Sequence, residues 1–369
     1  MAEQSDKRKP QRGKEPPLKR GWTTGACATA ALSAAYQALL TGEFPDPVTI
    51  TLPKGQEPSF PLKQAALNGN RATASIIKDA GDDPDVTHGA EIVVTVELTH
   101  DTITFHAGDG VGTVTRPGLA LDVGEPAINP GPRAMMQGVI EGLVKKFDGN
   151  KKPGAAITIS IPGGEKLAAK TLNGRLGIEG GLSVLGTTGI VIPYSCSAWI
   201  HSIHRGIDVA LAEGHIHLAA ATGSTSEAAV KKATGLADQA LIDMGDFAGG
   251  MLKYLRKHPA KKLTLAGGIG KMSKLAQGAM DLHSSKSRVD MKGLAAILAD
   301  LGADAGAVKN AEAANTAGEV LDMARAQNLP LGDVIAQRAR ETALATLSGG
   351  TEVDVIIFDR DGNMAGHSG

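Results

Sequence analysis

"HIHLAAATGSTSEAAVKKAT", residues 215–234, decides how this chain folds. "HIHLAAATG" reads as a buried strand and "STSEAAVKKAT" as a capped helix. Upstream, "GTTGIVIP" (186–193) precedes a helix over "SCSAWIHSIHRGIDVALAEG" (195–214). Downstream, "ALIDMG" (240–245), "DFAGGMLKYLRK" (246–257), "KKLTLAGG" (261–268) and "IGKMSKLAQGAM" (269–280) continue the alternation. Strand-helix alternation is the signature of parallel βαβ units, so residues 186–290 are expected to form a Rossmann-like parallel α/β domain. Ligands in such sheets lie at the carboxyl ends of strands, beside helix starts. The turns at those places are "TGS" (222–224), "DMGDF" (243–247) and "GGIGK" (267–271).

Before residue 186 the pattern predicts a mixed, largely antiparallel α+β domain over 21–185. "GWTTGACATAALSAAYQALLTGE" (21–43) opens it, with Thr23 or Thr24 capping an Ala/Leu-rich helix that runs to about Leu40 and stops at Gly42. "VTITL" (48–52) is a short strand, and "FPLKQAALNGNRATASIIKDA" (60–80) is a hairpin whose Asn68-Gly69 suits a type I′ turn. "EIVVTVEL" (91–98) and "DTITFHAG" (101–108) read as a further strand pair. Just before that pair lies "KDAGDDPDVTHGA" (78–90), which is either a solvated connection or a ligand-handling loop held by the sheet. "GDGVGTVTRPGLALDVGEPAINPGPR" (108–133) opens like a dinucleotide loop, but Pro117 breaks the helix such a loop requires. It remains as an irregular wall carrying Arg116, Glu125, Asn129 and Arg133, or as a passive surface loop. "PRAMMQGVIEGLVKKF" (132–147) is a helix. Past Asp290 the chain is expected to be a helical segment, 291–369, whose final strand "EVDVIIFDRDG" (352–362) packs on the core.

Composition excludes several classes. The chain has 369 residues and a net charge of −1, so no global field draws it to nucleic acid or to an acidic membrane. Two cysteines make no disulfide framework, and no apolar leader or transmembrane-length run is present, so the expected compartment is the cytoplasm. Cys27, one turn into a helix, is a dipole-favoured nucleophile or a small core residue. Residues 1–20 mix Lys, Arg and Pro, and are expected to be a disordered basic tail. "GGIGK" fails as a Walker A loop, because Leu265 stands where the first glycine belongs and Met272 follows Lys271; an anion at this helix start stays open. His201 with His204, and His215 with His217, share faces, but no Cys or acid completes a zinc spacing, and no protein-bound metal is expected.

Taken in order, "GWTTGACATAA", "KDAGDDPDVTHGA", "GDGVGTVTRPGL", "GEPAINPGPR", "PGGEKLAAKTLNGRLGIEGGLSVLGTTGIVIPYS" and "GGIGKMSKLAQG" with "DLHSS" closely resemble the CbiD family, in register from about residue 18 to about 290. The resemblance implies a cobalt-precorrin-5B (C-1)-methyltransferase of the anaerobic cobalamin pathway, using S-adenosylmethionine as cosubstrate, with cobalt arriving inside the corrinoid. For that donor the strand-end rule supplies the candidates Gly186, Thr187, Thr188, Gly223, Ser224, Asp243, Asp246, Gly267, Gly268, Gly270 and Lys271. The acidic loop is expected beside the reacting ring, with Asp79, Asp82 or Asp83 orienting ring nitrogens or supporting the sulfonium, and His88 accepting a proton. The carboxylates of the macrocycle need donors, for which Thr23, Thr24, Gly25, Arg116, Arg133, Lys170 and Arg175 are the candidates. Expected partners are the corrinoid alone, without nucleic acid or membrane; self-association and transient hand-over to neighbouring pathway enzymes stay open. A non-catalytic corrinoid carrier is the competing class, and a phosphate-handling enzyme using "GGIGK" a third.

Overall fold

The computed structural model describes residues 16–149 and 154–369. Most of the expected basic tail, residues 1–15, lies outside the described residues. In its described remainder, 16–20, Lys19 is tied to the first unit: its backbone amide donates to Asp82 Oδ2 at 2.5 Å and its ammonium to Asp79 Oδ2 at 2.7 Å.

Two compact units make up the chain. One draws on Met1–Asp109, Ile128–Pro162 and Val184–Tyr194 as far as these are described, the other on Gly110–Ala127, Gly163–Ser183 and Ser195–Gly369. The division is therefore interleaved, where the sequence suggested one cut after residue 185. The glycine-rich stretches 110–127 and 163–183 join the second unit, zipped together by the antiparallel pairing of Thr113–Val114 with Ile178–Glu179.

In the first unit, helix α1 (Thr24–Thr41) starts at Thr23, whose Oγ1 accepts from the Ala26 amide at 3.1 Å, and stops at Gly42 in the left-handed region, φ 85°. Both ends match the sequence expectation. Its alanines are buried all round, as a helix apolar on every side requires. Around it lie β1 (Gln64–Asn68), β2 (Arg71–Ile77), β3 (Glu91–Leu98), β4 (Ile103–Ala107), α2 (Pro130–Phe147) and β5 (Ala155–Ser160). The sheet order is β1-β2-β3-β5-β4, antiparallel except for the parallel β4/β5 edge. Helix α1 packs on α2, β2 and β3.

Two local expectations shift. Asn68 pairs with Arg71, so Gly69 and Asn70 form the turn centre; only Gly69 has positive φ (61°), the type II′ pattern instead of I′. Strands β3 and β4 do not pair with each other, because β5 inserts between them. Ala155, Ile157 and Ile159 of β5 are fully buried, so it takes the interior position, and half-exposed β4 takes the edge.

The second unit contains α3 (Cys196–Ala212), β6 (His217–Ala221), α4 (Ser224–Thr234), β7 (Leu241–Asp243), α5 (Ala248–Leu255), β8 (Lys262–Gly268), α6 (Ile269–Ala276), α7 (Met291–Asp300), α8 (Ala305–Ala313), α9 (Ala317–Ala326), α10 (Leu331–Leu347), β9 (Glu352–Phe358) and β10 (Met364–Ser368). Its sheet runs β7-β6-β8-β9-β10, with the first four strands parallel and β10 antiparallel. Alternate residues bury both faces. Leu218, Ala220, Leu263, Leu265, Val353, Val355 and Ile357 join the large helical core, while Ala219, Ala221, Ala266, Ile356 and Phe358 meet Val230 of α4 on the other side. The strand read at 352–362 is β9, paired parallel with β8, and β10 follows it at the sheet edge. From β6 the chain steps out to β7 and then returns on the opposite side of β6 as β8, which makes β6/β8 a topological switch point. No helix among the described residues is long and apolar enough to cross a membrane.

Candidate active site

At this switch point the strands end in turns of small residues and leave a crevice of ≈ 930 Å³. It is walled by residues 222–226 after β6, 268–271 after β8, 358–361 after β9 and the Thr316–Arg325 side of α9. Gly267 lies just behind: a Cβ there would meet Met272 Cε at 2.5 Å and Thr222 Oγ1 at 2.7 Å, so a side chain at 267 would displace the floor. Lys271 does not extend freely into the opening, since Nζ donates to the Thr222 carbonyl at 2.7 Å and lies 3.0 Å from Asp246 Oδ1. The second contact is electrostatic, without hydrogen-bond alignment.

Of the residues expected at a donor site, Gly223, Ser224, Gly268, Gly270 and Lys271 line this crevice together. Asp246 reaches it only through Lys271. Asp243 instead lines a second, small cavity of ≈ 30 Å³ with Arg175. Burial, and next the Glu227 carboxylate, push its carboxyl above the usual range. Gly186, Thr187 and Thr188 belong to the first unit, where Gly186 (φ 120°) is packed so tightly on Thr23 that a Cβ would come within 2.3 Å of its side chain. Sequence reasoning missed α9 and the turn 359–361. The available signal was "FDRDG" at the carboxyl end of a buried strand, where the strand-end rule applies equally.

The acidic loop of the first unit is built around its own ties. Lys78 is 1% exposed, and its Nζ lies 2.5 Å from Asp85 Oδ2. Asp85 Oδ1 accepts from the Thr87 amide at 2.7 Å and hydroxyl at 2.6 Å. Asp79 takes the Lys19 ammonium and the Gly81 amide, and the Lys19 hydrogen bond holds its carboxyl below the usual range. Asp82 accepts from the Lys19 amide, and Asp83 from the Tyr194 amide at 2.9 Å. His88 Nδ1 accepts from the Ala80 amide at 3.1 Å, which places the neutral ring's proton on Nε2; accepting a proton at Nδ1 would break that bond.

The expected macrocycle donors are divided between the two units. Thr23, Thr24 and Gly25 are buried, and the Gly25 and Ala26 amides are already paired with the Leu185 carbonyl and Thr23 Oγ1. Arg133 donates from Nε to the Ile128 carbonyl at 2.7 Å and stands over the Phe105 ring. In the second unit, Arg116 pairs with Glu213 at 3.2 Å, Arg175 grips Glu227 through two bonds of 2.9 and 2.5 Å, and Lys170 is exposed. Cys27 is fully buried, with its thiol pushed up to about 12 by burial, so it is a core residue. His204 stacks on Tyr254 at 3.9 Å, and His217 Nε2 meets Thr264 Oγ1 at 2.8 Å. Among the described residues no group of three or more His, Cys, Asp or Glu is placed to hold a metal ion.

Comparison with known proteins adds the following. The CbiD family model matches residues 11–193, and the model of the CbiD C-terminal domain matches 281–369. A protein of Bradyrhizobium sp. named cobalt-precorrin-5B C(1)-methyltransferase is 57% identical over 353 residues, 95% of this chain and 93% of that one. A protein of the same name from Paramagnetospirillum magneticum is 56% identical over 355 residues, covering 95% and 98%. A crystal structure of a cobalamin biosynthesis protein (cbiD) from Archaeoglobus fulgidus aligns over 84% of this chain and 85% of that one, at 23% identity and a TM-score of 0.38.

Proposed function

The chain belongs to the CbiD family, and on that premise we propose that it transfers a methyl group from S-adenosylmethionine to C-1 of cobalt-precorrin-5B in cobalamin biosynthesis. The shared name of relatives aligned over nearly the whole of both chains supports the reaction. One observation supports the donor site: the crevice at the β6/β8 switch point of a parallel sheet, which we read as Rossmann-like.

The lining fits a sulfonium donor better than a polyphosphate. Four carboxylates, Glu319, Asp322, Asp359 and Asp361, face three cations, Lys271, Arg325 and Arg360. A nucleoside triphosphate would meet net repulsion there, and the one lysine of "GGIGK" is already engaged. The donor supplies a methyl group activated by its positive sulfur. What the chain must do is bind, orient and exclude water so that the methyl and the ring carbon meet in line. In the acidic loop, Asp82 and Asp83 each keep one carboxylate oxygen beyond their backbone ties, and His88 keeps Nε2–H. The proposal gives these three atoms hydrogen-bonding roles toward the macrocycle, with no proton abstraction by His88.

Photolabelling with an azidoadenosyl analogue of the donor, followed by peptide mapping, tests the site. Label on peptides containing 222–226, 268–271, 316–325 or 358–361, displaced by unlabelled donor, is expected. Displaceable label confined to other peptides refutes the placement. A corrinoid carrier would take up no label at all.

A further inference from the structure

The charges of the crevice divide into those already committed and those left over. On α9, Glu319 is closed into a capping box: its amide donates to Thr316 Oγ1 at 3.3 Å, and its carboxylate accepts from the Asn315 amide at 3.2 Å and from Thr316 Oγ1 at 3.1 Å. Arg325 pairs with Asp359 at 3.2 Å, and Asp359 also accepts the Asp361 and Asn363 amides at 3.0 and 2.9 Å. Lys271 is held by Thr222 and Asp246. Three charged lining side chains have neither an ion pair nor a side-chain hydrogen bond among the described residues. These are Asp322, exposed on the same side of α9 as Glu319 and Arg325, and Arg360 and Asp361 on the turn after β9.

One cation and two anions therefore remain, and S-adenosylmethionine carries the complement: one carboxylate, one ammonium and one sulfonium. We propose that the C-terminal region reads the donor by charge, with Arg360 taking its carboxylate and Asp322 and Asp361 facing its ammonium and sulfonium. This rests on the crevice being the donor site, and gives residues 316–361 a recognition role in addition to packing. Committed charges such as Arg325 and Lys271 would have to break existing bonds to serve; the three left over do not. The demethylated product has lost the sulfonium charge, so one carboxylate loses its counter-charge and the product binds more weakly than the donor.

Calorimetric titration of the full-length protein with S-adenosylmethionine, S-adenosylhomocysteine and 5′-methylthioadenosine tests this, because the last compound keeps the adenosine and sulfur but lacks the amino-acid end. In the unsubstituted protein, S-adenosylhomocysteine is expected to bind at least about tenfold tighter than 5′-methylthioadenosine. Arg360→Gln should cut that preference by several-fold, leaving the part due to the ammonium, with 5′-methylthioadenosine binding unchanged. One of Asp322→Asn and Asp361→Asn, the one that removes the charge facing the sulfonium, should erase the preference for S-adenosylmethionine over S-adenosylhomocysteine, and the other should weaken both compounds alike. The substituted side chains are exposed and unpaired, so the variants are expected to fold. Equal binding of S-adenosylhomocysteine and 5′-methylthioadenosine by the unsubstituted protein, or a preference left undiminished by Arg360→Gln, overturns the inference and leaves the crevice as the donor site. If none of the three compounds binds, the donor-site reading falls and the inference falls with it.

Discussion

Replacing Lys78 with methionine removes one half of a buried ion pair at the base of the acidic loop. Lys78 is 1% exposed and lies 2.5 Å from Asp85, whose side chain is 26% exposed. Burial alone would raise the Asp85 carboxyl, but the Lys78 charge and the two Thr87 donors outweigh it and hold the group below the usual range. Breaking a buried pair from one side costs about 3–5 kcal/mol, and because Asp85 can partly rehydrate, the lower end, about 3 kcal/mol, is expected. The chain has two tryptophans, so a Trp199→Phe background leaves Trp22 as the reporter of the first unit. The Trp22 amide donates to the Asp79 carbonyl at 2.8 Å, and its ring meets Phe60 edge-on at 5.5 Å, which places the probe beside the loop. Urea unfolding followed by Trp22 emission should show the loss in Lys78→Met and recovery of most of it in Lys78→Met/Asp85→Leu. Because the folded carboxyl is depressed, the pair's stabilisation is complete above the unfolded value, about 3.9, and fades as pH falls through the folded value. Lys78→Met should lack that acid-side loss. A change below about 0.5 kcal/mol in the single variant would refute the reasoning.

Three further outcomes follow from the same geometry. Ellman's reagent at pH 8 should titrate one thiol quickly, exposed Cys196, and the second only in denaturant, since Cys27 is buried with its thiol raised to about 12; two fast thiols would contradict the packing of α1. Thr23→Ala should cost the first unit about 1 kcal/mol by removing the N-cap of α1, read by the same Trp22 emission; an unchanged midpoint would show that the cap carries no weight. Asp243 has a raised carboxyl, first from burial and then from Glu227, so its contribution to folding is favourable at low pH and is lost as pH rises through the folded value. Asp243→Asn should therefore stabilise the second unit at pH 7, with the gain shrinking below about pH 4; unfolding followed by Trp199 emission in a Trp22→Phe background checks it, and a loss at pH 7 would mean that Arg175 or Lys271 outweighs burial.

Much of the second unit was legible because its signals are local. The strand and helix of residues 215–234 are specified by neighbouring residues, and so are the turns 222–224 and 267–271, which the strand-end rule then turns into candidate ligand positions. What was hidden depends on pairings between distant residues. Nothing near 155–160 says that this strand inserts between two strands that are neighbours in sequence; only the burial of Ile157 and Ile159 on a shared face requires it. The stretches 110–127 and 163–183 are glycine-rich and carry no periodicity, so their pairing at Thr113 and Ile178 left no trace in either one. The α9 wall was missed for a related reason. Arg325 and Asp359 lie far apart in sequence, and they become neighbours only once β9 has joined β8. In the acidic loop the excess of aspartate was visible, but not its division of labour: Asp85 neutralises a buried lysine, while Asp82 and Asp83 hold backbone amides.

Methyl transfer itself is the central claim, and anaerobic incubation of the purified protein with cobalt-precorrin-5B and methyl-labelled S-adenosylmethionine tests it most directly. Mass and NMR analysis of the corrinoid should show a single labelled methyl group, at C-1. A corrinoid that binds the protein and comes back unlabelled, with intact donor present throughout, would contradict the account and leave a carrier of the macrocycle in its place.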